Sequence, residues 1–305
     1  MARAFRSING VLLFDKPLQL SSSTALQKIR HLFQANKAGH TGTLDPLATG
    51  LLPICFGEAT KFSNALLEAD KTYRAAVRLG QITTTGDAEG EIIAEHVVDF
   101  GQTDIEAVLQ KFRGTILQLP PMYSALKHQG KPLYEYIRQG ETVERKLRTV
   151  IIHELVLNAI DGNEMDITVR CSKGTYIRTL AEDIGATLGC GAHLAGLRRT
   201  AIAHFDLHNG FTLQQLQAMT EAERDACILP LESLMPDIPI LQLDSTQIHR
   251  LAQGQRLGLD TGLPDGKVRL HGPQGFIGIG LLDGRRLAPG RLLSDVAKVA
   301  AASLE

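Results

Sequence analysis

Three glycines, three threonines, one histidine and one aspartate crowd into Gly39-His40-Thr41-Gly42-Thr43-Leu44-Asp45-Pro46-Leu47-Ala48-Thr49-Gly50. The glycines permit tight turns, and Pro46 steers the Asp45 backbone away from the helical region, so a carboxylate is expected to project from a stiff loop. A carboxylate held that way suits nucleophilic attack or proton transfer. The same Asp-Pro pair is also an ordinary turn former, and spacing alone leaves both readings open. Two other constellations carry less. Leu259-Asp260-Thr261-Gly262 spells the triplet of aspartic proteases, but such a site needs two carboxylates sharing a proton and the chain has no second triplet. It reads as a turn. Cys190 and His193 share a glycine-rich loop without a third group to orient a nucleophile and its base.

The elements that must position these residues follow from periodicity. Hydroxyls at Ser21, Ser22 and Ser23 precede Ala25, Leu26, Ile29, Leu32 and Phe33, an apolar stripe that predicts a helix ending near Gly39. Residues 72–79 alternate, with Tyr73, Ala75, Val77 and Leu79 on one face, which predicts a half-buried strand. Tyr73 at its start reads as a core tyrosine on position alone. Thr103 and Glu106 suggest a capping box before the stripe Ile105, Val108, Leu109 and Phe112. Residues 150–160 and 165–171 read as strands, and Ile177, Leu180, Ala181, Ile184 and Leu188 as a helix closed by Gly189. Tyr176 and Arg178 therefore stand where a strand gives way to a helix. Arg178 there could be a phosphate contact or a surface ion pair, and Leu197 is by position a core leucine. Strands and helices are interspersed without a strict βαβ rhythm, so the predicted class is α+β with a mixed, largely antiparallel sheet and flanking helices. Three prolines between Pro230 and Pro239 mark a linker, and the chain is cut into domains 1–237 and 238–305. The second reads as a small β-barrel with one short helix near Ile248 and Leu251.

Composition narrows the class. Lys and Arg total 32 against 33 Asp and Glu, a net charge of -1, which excludes a polybasic protein held to nucleic acid by bulk charge. Charge is nevertheless zoned: residues 1–40 carry a balance of +5, residues 81–110 seven acids and no base, and residues 250–291 a balance of +4. Basic zones separated by an acidic one are either solvated surface or a track for a folded polyanion. A further excess of +3 falls in 125–150, where Lys127, Lys131, Arg138, Arg145, Lys146 and Arg148 interleave with Tyr134 and Tyr136. That segment reads as a mobile grip on RNA or as a solvated helix face. Neither a membrane span nor a signal peptide is expected, and four scattered cysteines without a C-x-x-C pair suggest reduced thiols and a cytoplasmic setting.

The loop at 39–50 resembles the catalytic loop of the bacterial tRNA pseudouridine synthase B family. The likeness continues through Asn9-Gly10 and Lys16-Pro17, Lys71-Thr72-Tyr73-Arg74, Pro121-Met122-Tyr123-Ser124-Ala125-Leu126-Lys127, Cys171-Ser172-Lys173-Gly174-Thr175-Tyr176-Ile177-Arg178, Gly191-Ala192-His193 and Leu197-Arg198-Arg199. Phe276-Ile277-Gly278-Ile279-Gly280 is similar to that family's C-terminal RNA-binding PUA domain. One departure is Gln19, where the family pattern has glycine. The resemblance implies an enzyme that isomerises uridine at position 55, in the T-loop of tRNA, without a cofactor or metal, acting as a monomer with no obligate protein partner. It implies Asp45 as the catalytic carboxylate, Tyr73 stacked on the flipped uracil, Arg178 paired with Asp45, Tyr176 and Leu197 lining the pocket, and His40 holding the T-loop. Two other readings remain: a related synthase guided to ribosomal RNA, which the missing basic tails disfavour, and a tRNA chaperone that refolds RNA without chemistry.

Overall fold

A computed structural model describes residues 5–99, 101–124, 126–141 and 143–296. Arg3, Ala125, residues 297–305 of the expected second domain and the side chains of Tyr134 and Arg138 lie outside the described residues. Strands β1 (Gly10–Lys16), β2 (Ala48–Phe56), β3 (Lys71–Leu79), β4 (Gly114–Gln118), β5 (Arg148–Asp161), β6 (Glu164–Cys171) and β7 (Ala192–Ile202) build most of a ten-stranded sheet. Their order is β1-β2-β7-β3-β6-β5-β4, with Ala38–His40, Phe205–Asp206 and Phe211–Thr212 completing it. Only β2 with β7 and Phe211–Thr212 with β1 pair in parallel, so the sheet is mixed and largely antiparallel. Helices α1 (Ser22–Leu32), α2 (Gln102–Phe112) and α3 (Ile177–Leu188) flank it.

Strand β2 is apolar almost throughout because both of its faces are covered. Leu52, Ile54 and Phe56 pack with Ile29 and Phe33 from the α1 side, while Leu51 and Cys55 pack with Val11, Leu13 and Phe62 on the other. Strand β3 instead shows the alternation read from its sequence, burying Ala75, Val77 and Leu79 against Leu180 and Ile184 of α3. The parallel seam sets Leu197 beside Ala48 and Arg199 beside Gly50, which brings the two motifs around Asp45 and Leu197 together at one end of the sheet.

Two local expectations need correction. Helix α1 stops at Leu32 rather than near Gly39: Gln34 takes a left-handed φ of 54°, and Ala38–His40 turns back to pair with β2. The cap of α2 is built by Gly101, whose N–H donates to Asp104 at 3.0 Å, and Glu106 is drawn off to Arg113. The Thr103 and Glu106 pairing misplaces the helix start because extended backbone at Gly101 serves as the cap. Gln19, where the family pattern has glycine, takes a left-handed φ of 65°, and its N–H donates to Pro46 O at 2.9 Å. A left-handed conformation costs a residue with a Cβ about 1–2 kcal/mol, so Gln19→Gly is expected to gain about 1 kcal/mol in urea denaturation. A loss of stability would instead assign the Gln19 side chain a compensating contact.

Beyond Pro239, β8 (Ile240–Gln242), β9 (Leu257–Gly258), β10 (Gly266–Gly272), β11 (Gly275–Asp283) and β12 (Arg286–Leu292) form a second sheet in the order β8-β10-β11-β12-β9. It curls as a half-barrel over its own core of Ile248, Leu251, Val268, Leu270, Leu282 and Leu287, two of them from helix α4 (Ser245–Ala252). This PUA-like unit meets the first through Phe62 and Phe276, edge to face at 5.6 Å, and through Glu58, which accepts from Ser294 N at 2.7 Å. Asp260-Thr261-Gly262 lies in an irregular connection, where Thr261 Oγ1 accepts from Leu263 N and Asp260 pairs with Arg285. No helix among the described residues is long and apolar enough to cross a membrane.

Candidate active site

At the sheet end where the β2 and β7 motifs meet, a cavity of about 270 Å³ opens, walled by Thr43, Asp45, Tyr73, Tyr176, Arg178 and Leu197 among others. Alternate residues of the Asp45 loop are tied down. Gly42 O accepts from Arg199 Nη2 at 3.1 Å, and Leu44 is bracketed by the buried Ser22 hydroxyl, which receives its N–H and donates to its carbonyl, each at 2.8 Å. Pro46 O accepts from Gln19 N at 2.9 Å, and Ala48 N donates to Asp45 O at 3.0 Å. With these backbone groups committed, the Asp45 side chain is left to face the cavity. The stiffness expected from glycine and proline is thus supplied largely by long-range hydrogen bonds.

Arg178, at the start of α3, bridges two carboxylates: Nη2 lies 3.0 Å from Asp45 Oδ2 and Nη1 3.1 Å from Asp87 Oδ2. Nη2 also donates to Tyr123 O at 2.6 Å. Asp87 is 3% exposed and accepts further from Thr85 Oγ1 at 2.6 Å and Glu89 N at 3.1 Å. The guanidinium is therefore fixed in the plane that presents it to Asp45. Desolvation in the recess raises the Asp45 pKa; Arg178 opposes this, Asp87 adds to it, and Lys16 opposes it again. Half of the Asp45 side chain is open to solvent through the cavity mouth, so the upward push is that of a recess and not of a core. Lys16 is fully buried, donates to Pro17 O and Leu20 O, and is pushed down to about 8 chiefly by burial.

Tyr73, on β3, lines the cavity, and burial raises its pKa. Arg199, on β7, is 1% exposed and donates through Nε to Leu51 O at 2.8 Å as well as to Gly42. Burial lowers its pKa, against which the Tyr73 hydroxyl supports its charge. Among the described residues Arg199 has no carboxylate at ion-pair distance. Tyr176 is held through its backbone by the Gln118 amide, which accepts from Tyr176 N at 2.8 Å and donates to Tyr176 O at 3.0 Å. Five of the six residues named from the sequence thus share one cavity. His40 does not line it: it ends the short strand beside β2, its Nδ1 buried without a partner among the described residues, and burial pushes its pKa down. Asp87 and Arg199 were given no role in the sequence reading. Asp87 belongs to an acidic stretch whose other members are mostly solvated, and Arg199 sits inside a quoted motif with nothing in its spacing to tell a buried arginine from a phosphate contact.

Residues 30–177 match the N-terminal domain of the TruB family pseudouridylate synthases, residues 178–236 the tRNA pseudouridylate synthase B C-terminal domain, and residues 239–293 the pseudouridine synthase II TruB C-terminal region. The chain belongs to the TruB family of pseudouridine synthases. It is 56% identical over 293 residues to the tRNA pseudouridine synthase B of Methylobacillus flagellatus, covering 95% of this chain and 97% of that protein. It is 52% identical over 299 residues to that of Cupriavidus metallidurans, covering 94% and 95%. Among solved structures it is similar to a chain of a Cbf5-Nop10-Gar1 complex, with a TM-score of 0.70 at 26% identity over 93% of this chain and 84% of that one. The cavity of this TruB-family chain is assembled from its N-terminal family region and the first residues of the next, since Arg178, Leu194, Leu197 and Arg199 all follow residue 177.

Proposed function

We propose that this TruB-family synthase isomerises the uridine at position 55, in the T-loop of tRNA, with Asp45 as its catalytic carboxylate. The supporting observation is the ion pair of Asp45 with a buried Arg178, 3.0 Å apart, in a cavity shared with Tyr73, Tyr176 and Leu197. The reaction breaks the C1′–N1 bond, turns the uracil while it stays bound, and joins C1′ to C5; the C5 hydrogen leaves as a proton and N1 gains one. Atoms and electrons balance without redox change or an energy source. Asp45, whose ionised form the Arg178 guanidinium favours against desolvation, serves either by attack on the nucleotide or by removing a ribose proton; both need an oriented carboxylate. A base inside a folded loop must be extruded at a cost of a few kcal/mol, which Tyr73 offsets by stacking on the flipped uracil while Tyr176 and Leu197 close around it. His40, outside the cavity wall, is assigned to holding the T-loop.

The same reading makes residues 1–237 the catalytic domain and 238–305 a PUA-like RNA-binding domain, acting as a cytoplasmic monomer on tRNA without a protein partner. Its segment 125–150 grips RNA: the hairpin of Lys127–His128 and Lys131–Pro132 leads into the helix Leu133–Arg138 directly after the Tyr123 carbonyl that Arg178 holds. A second reading, a tRNA chaperone, needs the same docking surface but no carboxylate aimed into a cavity. The test uses tRNA carrying tritium at uridine C5, because joining C5 to C1′ expels that hydrogen. Release of one equivalent per tRNA is expected, and binding without release leaves only the chaperone. Tyr73→Phe keeps the stacking face and should retain more release than Tyr73→Leu, while wild-type release in both would return Tyr73 to a packing role.

A further inference from the structure

Ser124 follows the Tyr123 carbonyl that Arg178 holds, and its side chain is used by nothing described so far. It is 6% exposed and lines the Asp45 cavity, yet its Oγ has no hydrogen-bond partner among the described residues. A buried hydroxyl without a partner is costly and uncommon in folded proteins, and one facing a ligand cavity is poised to be satisfied by the ligand. Which part of the ligand follows from the wall it stands on. Arg178 Nη2 touches both Asp45 Oδ2, at 3.0 Å, and Tyr123 O, at 2.6 Å, so the 122–124 turn is stitched to the carboxylate side of the cavity. Chemistry at the glycosidic carbon sets the sugar against Asp45, while the Tyr73 ring takes the base. The 3′ and 5′ oxygens of an internal nucleotide are esterified, which leaves one free ribose hydroxyl.

We infer that Ser124 is a substrate-positioning residue whose hydroxyl hydrogen-bonds the 2′-hydroxyl of the target nucleotide. This rests on Asp45 being the group that faces the sugar. The contact orients the ribose over the carboxylate and makes the site distinguish RNA from DNA at the one nucleotide it reacts with. It also separates stability from function at this position. Removing an unpartnered buried hydroxyl leaves the free protein as stable as before or more so, whereas the bound state loses one hydrogen bond.

The test measures binding of the full chain in an Asp45→Asn background, which silences turnover, to two T stem-loop RNAs carrying uridine or 2′-deoxyuridine at the target position. Ser124→Ala is expected to weaken the uridine RNA about tenfold and to leave the 2′-deoxyuridine RNA unchanged within about twofold. Its melting temperature should equal or exceed that of the parent. Equal weakening of both RNAs, or no weakening of the uridine RNA, overturns the inference. So does a drop of several degrees in melting temperature, since that places the hydroxyl's partner inside the free protein. Conversion by the Asp45→Asn parent itself contradicts the reading of Asp45 and is seen separately, because the Ser124 comparison reads affinity alone.

Discussion

Asp45→Asn should lower single-turnover conversion of tRNA uridine by at least about 10³-fold while leaving tRNA affinity unchanged or slightly tighter. The asparagine keeps the volume and most of the hydrogen-bonding outline of the carboxylate, and the loop around it is tied through backbone groups at Gly42, Leu44, Pro46 and Ala48 that the substitution does not touch. Affinity is spared because a carboxylate repels phosphate. Stability follows from the direction of the Asp45 pKa, raised first by desolvation. An acid whose folded pKa lies above its unfolded value binds protons better when folded, so its contribution is greatest at acid pH and is lost as pH rises through the folded value. At neutral pH the wild-type carboxylate is a slight liability, and the variant should melt no lower than the parent. The same direction places the acid limb of wild-type conversion above the ordinary aspartate range. A variant that loses conversion and affinity together would show that Asp45 shapes the loop and does no chemistry.

Arg178→Gln should be the more damaging change for stability, because it removes a cation that serves two carboxylates at once. Asp45, at the cavity mouth, can be reached by water, but Asp87 is 3% exposed and among the described residues would keep only Thr85 Oγ1 and Glu89 N as partners. Orphaning one member of a buried pair costs about 3–5 kcal/mol, so a clear loss in urea denaturation is expected together with a loss of conversion of at least about 10²-fold. Adding Asp87→Asn removes the stranded charge as well. The double variant should regain much of the stability and none of the activity, because Asp45 would still lack its orienting guanidinium. Additive losses in the double variant would mean that Arg178 and Asp87 do not act as a unit.

How far the sequence carried depended on whether a feature is local. The alternation of β3 and the helix from Ile177 closed by Gly189 were legible because period and cap chemistry are written in neighbouring residues. The C-terminal end of α1 and the cap of α2 were missed where backbone conformation at Gln34 and Gly101 decided the matter. In the site, the motif resemblance assembled five of the cavity residues, and no periodicity would have done so, since they arrive from four separate stretches of chain. Arg199 and Asp87 stayed hidden because each acts only after folding: Arg199 as a cation buried against the carbonyls of Gly42 and Leu51, Asp87 as a second carboxylate on Arg178. His40 shows the converse. It stands inside the motif, yet at the end of its short strand it is not among the residues that line the cavity.

Mapping pseudouridine in unmodified tRNA by carbodiimide labelling after incubation with the purified chain tests the central claim most directly, since the isomer has the same mass as uridine but is labelled stably. One modified position in the T-loop, formed by the wild-type chain and absent with Asp45→Asn, is the predicted result. Labelling that matches untreated tRNA, or an equal signal from Asp45→Asn, would contradict it.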